Sequence, residues 1–182
     1  MDLTERKLDS TTHFEGKIFR ITVDHVTLPN GKTATREIAH HCGAVAVLPI
    51  TKEGNVILVT QYRYALGKEL LEIPAGKMDL EGEAPLESAI RELREETGCT
   101  AGQMISLGDF AGSPGCMTEI VHLYLALDLE QGESCPDEDE FLRTSQMPLT
   151  ELIDRIMAGE VTDGKTIAAA LKAEHYLKTH QK

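Results

Sequence analysis

The sequence predicts an α/β protein in which helices cover the faces of a mixed β-sheet. In the first half of the chain, short apolar segments rich in β-branched residues alternate with turn residues, which is typical of strands. From residue 85 the apolar residues recur every three or four positions, which is typical of an amphipathic helix. Strand patterns then resume, and two further helical patterns follow. This alternation favours layers of sheet and helix packed on one another.

The predicted strands begin with a hairpin near the N-terminus. Residues 17–27 and Thr33–His40 have strand-like sequences, and Asn30-Gly31 between them is a common hairpin turn pair. His40 and His41 are consecutive and point to opposite faces of a strand, so we expect structural roles for both. Further strands are predicted at residues 45–50, 56–64, 70–73, 104–110 and 120–129.

The clearest helical pattern covers Pro85–Thr97. Proline is favoured in the first turn of a helix, and Gly98 is favoured just after the last turn. Helices are also predicted at Leu149–Met157 and at residues 166–178. The apolar face of the first helix excludes its acidic residues and is expected to be buried. It carries Leu86, Ile90, Leu93 and Thr97.

Three carboxylates crowd the end of this helix, where negative charge is disfavoured. Glu92, Glu95 and Glu96 lie in the last two turns, near the negative end of the macrodipole. Glu92 and Glu96 are also four residues apart, which costs about 0.2–0.5 kcal/mol for like charges. A divalent cation such as Mg²⁺ would offset these penalties because it takes oxygen ligands. The alternative is a solvated helix face on which Arg91 and Arg94 balance the charge.

The composition is that of a globular protein with an acidic surface. The 182 residues carry a formal net charge of −12, and 41% of them are hydrophobic. Eleven acids and no Lys or Arg lie between Glu95 and Leu142, which argues against DNA or RNA as a partner. A small phosphate ester remains an acceptable ligand if metal ions supply positive charge.

The cysteines and the apolar segments bear on the cellular setting. Four cysteines are scattered without a Cys-x-x-Cys pair, so neither a zinc site nor a disulfide framework is expected. No apolar segment approaches the roughly 20 residues needed to cross a bilayer. The first residues also lack a signal-peptide pattern. We therefore expect a cytoplasmic protein without membrane partners.

The acidic helix and the loop before it resemble the signature of the Nudix hydrolase family. That signature is Gly-x5-Glu-x7-Arg-Glu-U-x-Glu-Glu-x-Gly-U, in which U is aliphatic. Gly76 and Glu83 match its first two fixed positions, although six residues rather than five separate them. The spacing then matches from Arg91 to Gly98, and Cys99 takes the last position. We expect the additional residue to form a local bulge in the loop 77–82.

Segments outside the signature resemble one branch of the family, the ADP-ribose and nucleoside diphosphate sugar pyrophosphatases. The resemblance covers residues 15 to 178 and implies the Nudix α/β/α sandwich with a mixed sheet. It also implies an antiparallel β extension at residues 1–42, a Nudix domain at 43–182, and a homodimer that exchanges the extension. The matching segments are residues 61–64, 72–77, 113–115 with Glu119, 137–140 and 164–167.

The resemblance implies a site for Mg²⁺, for which Mn²⁺ can substitute. Glu95 is expected to be a secondary ligand or an orienting residue. Arg91 is expected to hold a carboxylate such as that of Glu83 by a bidentate contact, or to touch phosphate. The implied metal ligands are the Ala75 carbonyl, Glu92, Glu96 and, as a further candidate, Asp139.

The resemblance also places a catalytic base in the acidic segment after the strand predicted at 120–129. Glu138 is the residue we nominate, and Asp137, Asp139 and Glu140 remain alternatives. A solvated charged loop is the non-catalytic interpretation. Substrate contacts are the least defined, and Arg63 is equally compatible with an ordinary surface position. The implied substrate-binding residues are Arg36, Glu37, Arg63, Gly76 and Lys77.

The implied reaction is Mg²⁺-dependent hydrolysis of ADP-ribose or a related nucleoside diphosphate sugar. The products would be a nucleoside monophosphate and a sugar phosphate. One alternative is specificity for GDP-mannose or another nucleoside diphosphate sugar. The other is a non-catalytic Nudix module that senses nucleotide.

Overall fold

The computed structural model describes residues 1–135 and 141–180, which divide into two compact units. The first unit comprises Met1–Gly43 and Ala111–Ile120. The second comprises Ala44–Phe110 and the chain from Val121 onward. The boundary after residue 43 lies next to the boundary predicted at 42, and the return of 111–120 to the first unit was not anticipated.

The first unit is built on a three-stranded antiparallel sheet in the order β1-β2-β3. β2 (Arg20–Thr27) and β3 (Thr33–His40) form the predicted hairpin, and Gly31 takes a positive φ of 80° in the turn. β1 (Arg6–Glu15) was not predicted, because its residues are mostly polar and all are exposed. It is held by backbone pairing with β2 rather than by a buried face.

Residues 111–120 pair with the end of β3 within the first unit. The Ala39 N–H donates to the Cys116 carbonyl at 2.8 Å, and the Thr118 N–H donates to the Ala39 carbonyl at 3.0 Å. The imidazole of His41 is buried near Phe19 and lies 3.4 Å from the Glu119 carboxylate. These contacts agree with the structural role expected for this histidine.

The second unit contains two sheets. The four-stranded sheet has the order β7-β4-β9-β8, and it is mixed because only β4 and β9 run parallel. The three-stranded antiparallel sheet has the order β10-β5-β6. Their bounds are β4 Ala44–Pro49, β5 Asn55–Arg63, β6 Lys68–Glu72, β7 Ala75–Lys77, β8 Cys99–Phe110, β9 Val121–Gln131 and β10 Leu142–Pro148.

Helices cover both faces of the four-stranded sheet. On one face, α1 (Pro85–Thr97) packs through Ala89 and Leu93 against Val45 and Val47 of β4. On the other face, α2 (Leu149–Met157) and α3 (Gly164–His180) enclose a core of leucine, isoleucine, valine and alanine side chains. Within the described ranges, no helix combines the length and apolar character that crossing a bilayer requires.

The bounds predicted for α1 are correct, but only half of its predicted buried face is, because Leu93 and Thr97 are buried and the other two residues are not. Leu86 and Ile90 are 43% and 45% exposed, whereas Glu92 and Glu96 are only 7% and 5% exposed. The helix is rotated so that small Ala89 and bulky Leu93 meet the sheet. This rotation turns two carboxylates toward the backbone of Ala75 and Gly76 in β7.

Two strands of the second unit, β7 and β10, are not predicted by the sequence patterns. The strand predicted at 70–73 stops before β7, which follows Pro74 and pairs with β4 over three residues. β10 was missed because most of its residues are polar, and β5 supplies its pairing partners. Tertiary pairing, rather than local propensity, creates both strands.

Candidate metal and diphosphate site

The carboxylate of Glu92 lies directly against the backbone of Gly76. Gly76 pairs with Val45 of β4, and α1 crosses the same face of the sheet. A Cβ atom on residue 76 would lie 2.0 Å from the carboxyl carbon of Glu92, far inside contact distance. Glycine is therefore required here to admit the carboxylate.

Glu96 approaches the same segment one helical turn later. The Ala75 N–H donates to its Oε2 atom at 3.3 Å. Glu92 and Glu96 are thus two nearly buried carboxylates directed at consecutive residues of β7. Burying carboxylates is costly unless cations or hydrogen-bond donors compensate them.

Arg91 supplies part of that compensation. Its Nε and Nη2 atoms each donate to Glu83 at 3.0 Å, which is the bidentate contact expected from the sequence. Its Nη1 atom donates to Glu92 at 2.6 Å and to Glu95 at 3.0 Å. Hydrogen bonding to Glu83 raises the pKa of Arg91, and the hydrogen bond from Arg91 lowers the pKa of Glu83. Arg91 therefore orients three carboxylates despite the additional residue before Glu83.

The residues at this point fit a hard divalent cation. Glu92, Glu96 and the Ala75 backbone offer only oxygen ligands, which Mg²⁺ prefers. In residues 1–135 and 141–180, no group of three or more His, Cys, Asp or Glu side chains is arranged for metal binding. An ion held by two carboxylates and a carbonyl would complete its shell with water or substrate oxygens, as Mg²⁺ commonly does.

Arg63 lies in a second charged cluster at the end of β5. Its Nε and Nη2 atoms donate to the buried Glu72 carboxylate at 2.7 and 2.6 Å. Burial works to raise the pKa of Glu72, but hydrogen bonds and charge from Arg63 and Lys165 outweigh it, and the net pKa is lowered. Lys165 has no predicted role, because its partner Glu72 is 93 positions away in the sequence.

The other predicted site residues are distributed over both units. Lys77 is exposed and pairs with Asp79 at 3.3 Å. Arg36 and Glu37 lie on β3 of the first unit, where the Arg36 side chain pairs with Glu5. The proposed base Glu138, its alternatives Asp137 and Glu140, and the candidate ligand Asp139 lie outside the described residues.

The residues on either side of 136–140 form hydrogen bonds within the second unit. The Cys135 N–H donates to the Glu95 carbonyl of α1 at 2.9 Å. On the other side, Leu142 pairs with Gln61, two residues before Arg63 on β5. Cys135 is thus held on the acidic helix and Leu142 on the strand that carries Arg63.

Comparison with known proteins identifies the family. Residues 40–170 match the NUDIX domain model, and residues 5–39 match the nucleoside diphosphate sugar hydrolase N-terminal domain. An ADP-ribose pyrophosphatase of Bacillus subtilis (strain 168) is 43% identical, over 92% of this chain and 91% of that protein. A methanol dehydrogenase activator of Bacillus methanolicus is 44% identical, over 91% of this chain and 90% of that protein.

The solved structures support the same assignment at the level of the fold. The crystal structure of an ADP compounds hydrolase superposes with a TM-score of 0.86, covering 98% of this chain and 97% of that one. Its sequence is only 23% identical, so this likeness concerns the fold alone. The predicted sandwich with a mixed sheet is thereby confirmed. With the NUDIX domain model matching most of its length, the chain belongs to the Nudix hydrolase family.

Proposed function

We propose that this protein hydrolyses the diphosphate of ADP-ribose or a related nucleoside diphosphate sugar to a nucleoside monophosphate and a sugar phosphate. The observation that carries the proposal is the pair of buried carboxylates, Glu92 and Glu96, directed at the backbone of Ala75 and Gly76. The similarity to an ADP-ribose pyrophosphatase over nearly the whole chain supports this substrate class.

Glu92, Glu96 and the Ala75 carbonyl would hold Mg²⁺, with Mn²⁺ as a substitute. The bound ion would neutralise phosphate oxygens and acidify a water molecule. Arg91 orients Glu92 and stays charged, so it limits repulsion among the carboxylates as the anionic substrate arrives.

A general base is still required to take the proton from the attacking water. We propose Glu138, with Asp137, Asp139 and Glu140 as alternatives, and Asp139 as a further metal ligand. The anchoring of Cys135 on α1 supports this location, because Glu138 follows only three residues later. Glu95, which accepts a hydrogen bond from Arg91, would act as an orienting residue or a secondary metal ligand.

Substrate contacts are proposed at both phosphate and nucleotide ends. Gly76 would bring the backbone close to the diphosphate, with the Glu92 carboxylate in the space that a Cβ atom would fill. Arg63 and Lys77 would supply positive charge to the phosphates or the terminal sugar. Arg36 and Glu37 would contact the nucleotide.

We also propose a cytoplasmic homodimer in which residues 1–42 form the dimerising extension and 43–182 the hydrolase domain. Apolar side chains in the first unit support this assembly, since Leu8, Phe14 and Ile18 are all more than half exposed. Exposed apolar residues mark a contact with another chain when they form a contiguous patch. The acidic surface makes nucleic acid an improbable partner.

A substrate panel with product analysis tests the proposed function. The purified protein is incubated with Mg²⁺ and ADP-ribose, ADP-glucose, GDP-mannose or UDP-glucose in ¹⁸O-labelled water, and the products are resolved by mass spectrometry. We expect ADP-ribose to give two monophosphates, one of them carrying a single ¹⁸O atom. A GDP-mannose preference would favour the alternative specificity, and tight binding without turnover would favour the sensing module.

Glu96→Gln serves as the matched inactive variant for this panel. The amide keeps the size of the side chain and an acceptor for the Ala75 N–H but removes the charge. We expect turnover to fall by at least about 100-fold, as for the loss of other groups that stabilise transition-state charge. The circular dichroism spectrum should not change. Near wild-type hydrolysis by this variant would show that Glu96 is not a metal ligand.

A further inference from the structure

A buried ion cluster joins the start of α3 to the strand that leads into Ala75. Glu72 is 1% exposed and accepts hydrogen bonds from both Arg63 and Lys165. Lys165 also donates to Asp163 at 3.0 Å. Two cations and two carboxylates therefore compensate one another, with Lys165 as the link between the carboxylates.

The same turn of α3 is bonded to the backbone of that segment. The buried Thr166 hydroxyl accepts a hydrogen bond from the Ile73 N–H at 2.9 Å and donates to Asp163 at 2.5 Å. Asp163 also accepts from the Thr166 N–H, so it caps the helix that it precedes. The helix start therefore fixes Ile73, which lies only two residues before Ala75.

The charge of Arg63 also interacts with one carboxylate of α1, that of Glu96. Hydrogen bonding to Glu72 is the main cause of the raised pKa of Arg63, and the charge of Glu96 contributes to it. The cluster can therefore affect the proposed metal site in two ways, by charge and through the backbone. One runs through the charge of Arg63, and the other through the backbone from Ile73 to Ala75.

We propose that Lys165 is a positioning residue of the diphosphate site, which it serves by clamping Glu72 to the first turn of α3. This inference rests on the proposed function, because it assigns the Ala75 carbonyl to the metal. Removing the lysine leaves Glu72 and Asp163, two largely buried carboxylates, with Arg63 as the remaining cation. The two carboxylates would then move apart, or one of them would take up a proton. Either response releases the segment before Ala75.

The test compares Lys165→Met with Lys172→Met, a matched control on the same helix. The Lys172 ammonium donates to the Leu107 carbonyl of β8 and takes no part in the cluster. Binding of Mn²⁺ to the apoprotein is measured by electron paramagnetic resonance of the free ion, at a temperature where each variant is fully folded. Steady-state hydrolysis of ADP-ribose is measured in parallel.

We expect Lys165→Met to weaken Mn²⁺ binding and to lower kcat/KM, each by about 10–100-fold, the range for residues that orient metal ligands. Lys165→Arg should recover most of both losses, and Lys172→Met should match wild type. Thr166→Val provides a second variant in case Lys165→Met does not fold. It keeps Lys165 but removes the hydroxyl that accepts from Ile73 and donates to Asp163, and it should also weaken Mn²⁺ binding.

A variant that melts earlier but retains wild-type Mn²⁺ affinity and turnover would overturn the proposal, since Lys165 would then only stabilise the fold. Unchanged Mn²⁺ affinity in folded Thr166→Val would contradict the backbone route. Failure of the proposed function has a different signature. Wild type would then hydrolyse nothing in the panel, while the Lys165 variant would still bind Mn²⁺ more weakly than wild type.

Discussion

Gly76→Ala tests whether the position of the Glu92 carboxylate controls turnover. Gly76 lies within β7 and is not among the glycines with positive φ, so alanine can adopt the same backbone conformation. Its methyl carbon would lie 2.0 Å from the carboxyl carbon of Glu92 and 2.1 and 2.3 Å from the two oxygens. Ordinary contact begins at 3.4 Å, so the carboxyl carbon must retreat by about 1.4 Å.

The expected effects on activity and stability differ in size. A misplacement of about 1 Å in a catalytic group can cost on the order of 100-fold in rate, so kcat should fall at least that far. The displaced atoms are the end of a flexible side chain, and moving them off their preferred rotamer costs about 0.5–1.5 kcal/mol. Alanine also restricts the unfolded chain more than glycine does, which stabilises the folded protein by about 0.4–1 kcal/mol. The free energy of unfolding should therefore change by less than about 1 kcal/mol.

The assay combines ADP-ribose hydrolysis at saturating Mg²⁺ with urea unfolding of the same samples. Gly54→Ala is the control, because residue 54 has open space around it but a φ of +83°. Left-handed backbone costs an alanine about 1–2 kcal/mol, so this control should lose stability and keep its kcat. The two glycine variants should thus show opposite patterns. Wild-type kcat in well-folded Gly76→Ala would refute the importance of the Glu92 position.

Two further predictions concern the stability of the second unit. Leu93→Ala should lower the free energy of unfolding in urea by about 2–5 kcal/mol, because Leu93 is fully buried. Ile90→Ala should lower it by less than about 1 kcal/mol, because Ile90 is 45% exposed. Equal losses would contradict the observed rotation of α1. Glu72→Gln should cost about 3–5 kcal/mol at pH 7, because it leaves Arg63 and Lys165 facing a neutral amide. The pKa of Glu72 is lowered in the folded protein, so its stabilising effect is complete above its ordinary value of 4.5 and is lost as the pH falls through the folded value. Unfolding titrations between pH 7 and 3 should therefore show a smaller acid-dependent loss in Glu72→Gln than in wild type, and identical profiles would refute this assignment.

The bounds of α1 could be predicted because its end signals are local. Pro85 opens the helix, and Gly98 closes it with a φ of 74° and an N–H bond to the Arg94 carbonyl. Only part of the face that α1 buries could be predicted from its own sequence, namely Leu93 and Thr97. Apolar periodicity favoured Leu86 and Ile90, but the nearby strand β7 offers a glycine and backbone groups that accommodate carboxylates.

The strands show the same division between local and tertiary information. The hairpin of β2 and β3 was predicted from its turn residues, and the paired ends of β3 match the predicted bounds. β1 and β10 have polar sequences without a clean alternation, and each depends on a neighbouring strand for its hydrogen bonds.

The candidate site was predictable where its residues are close in sequence. Glu92 and Glu96 lie one helical turn apart, and their crowding at a helix end was visible without coordinates. The cluster of Arg63, Glu72 and Lys165 was not, because no spacing rule connects strand residues with the start of a distant helix. The pairing of β5 with β6 brings Arg63 to Glu72, and the first turn of α3 adds Lys165.

The most direct test of the account is to locate the metal. Crystals grown with Mn²⁺ and a non-hydrolysable ADP-ribose analogue are measured at a wavelength that gives an anomalous signal from manganese. We predict an anomalous peak about 2.0–2.3 Å from oxygens of Glu92, Glu96 and the Ala75 carbonyl, and in contact with the diphosphate. A bound analogue with no peak among these three residues, or with manganese elsewhere, would contradict the account.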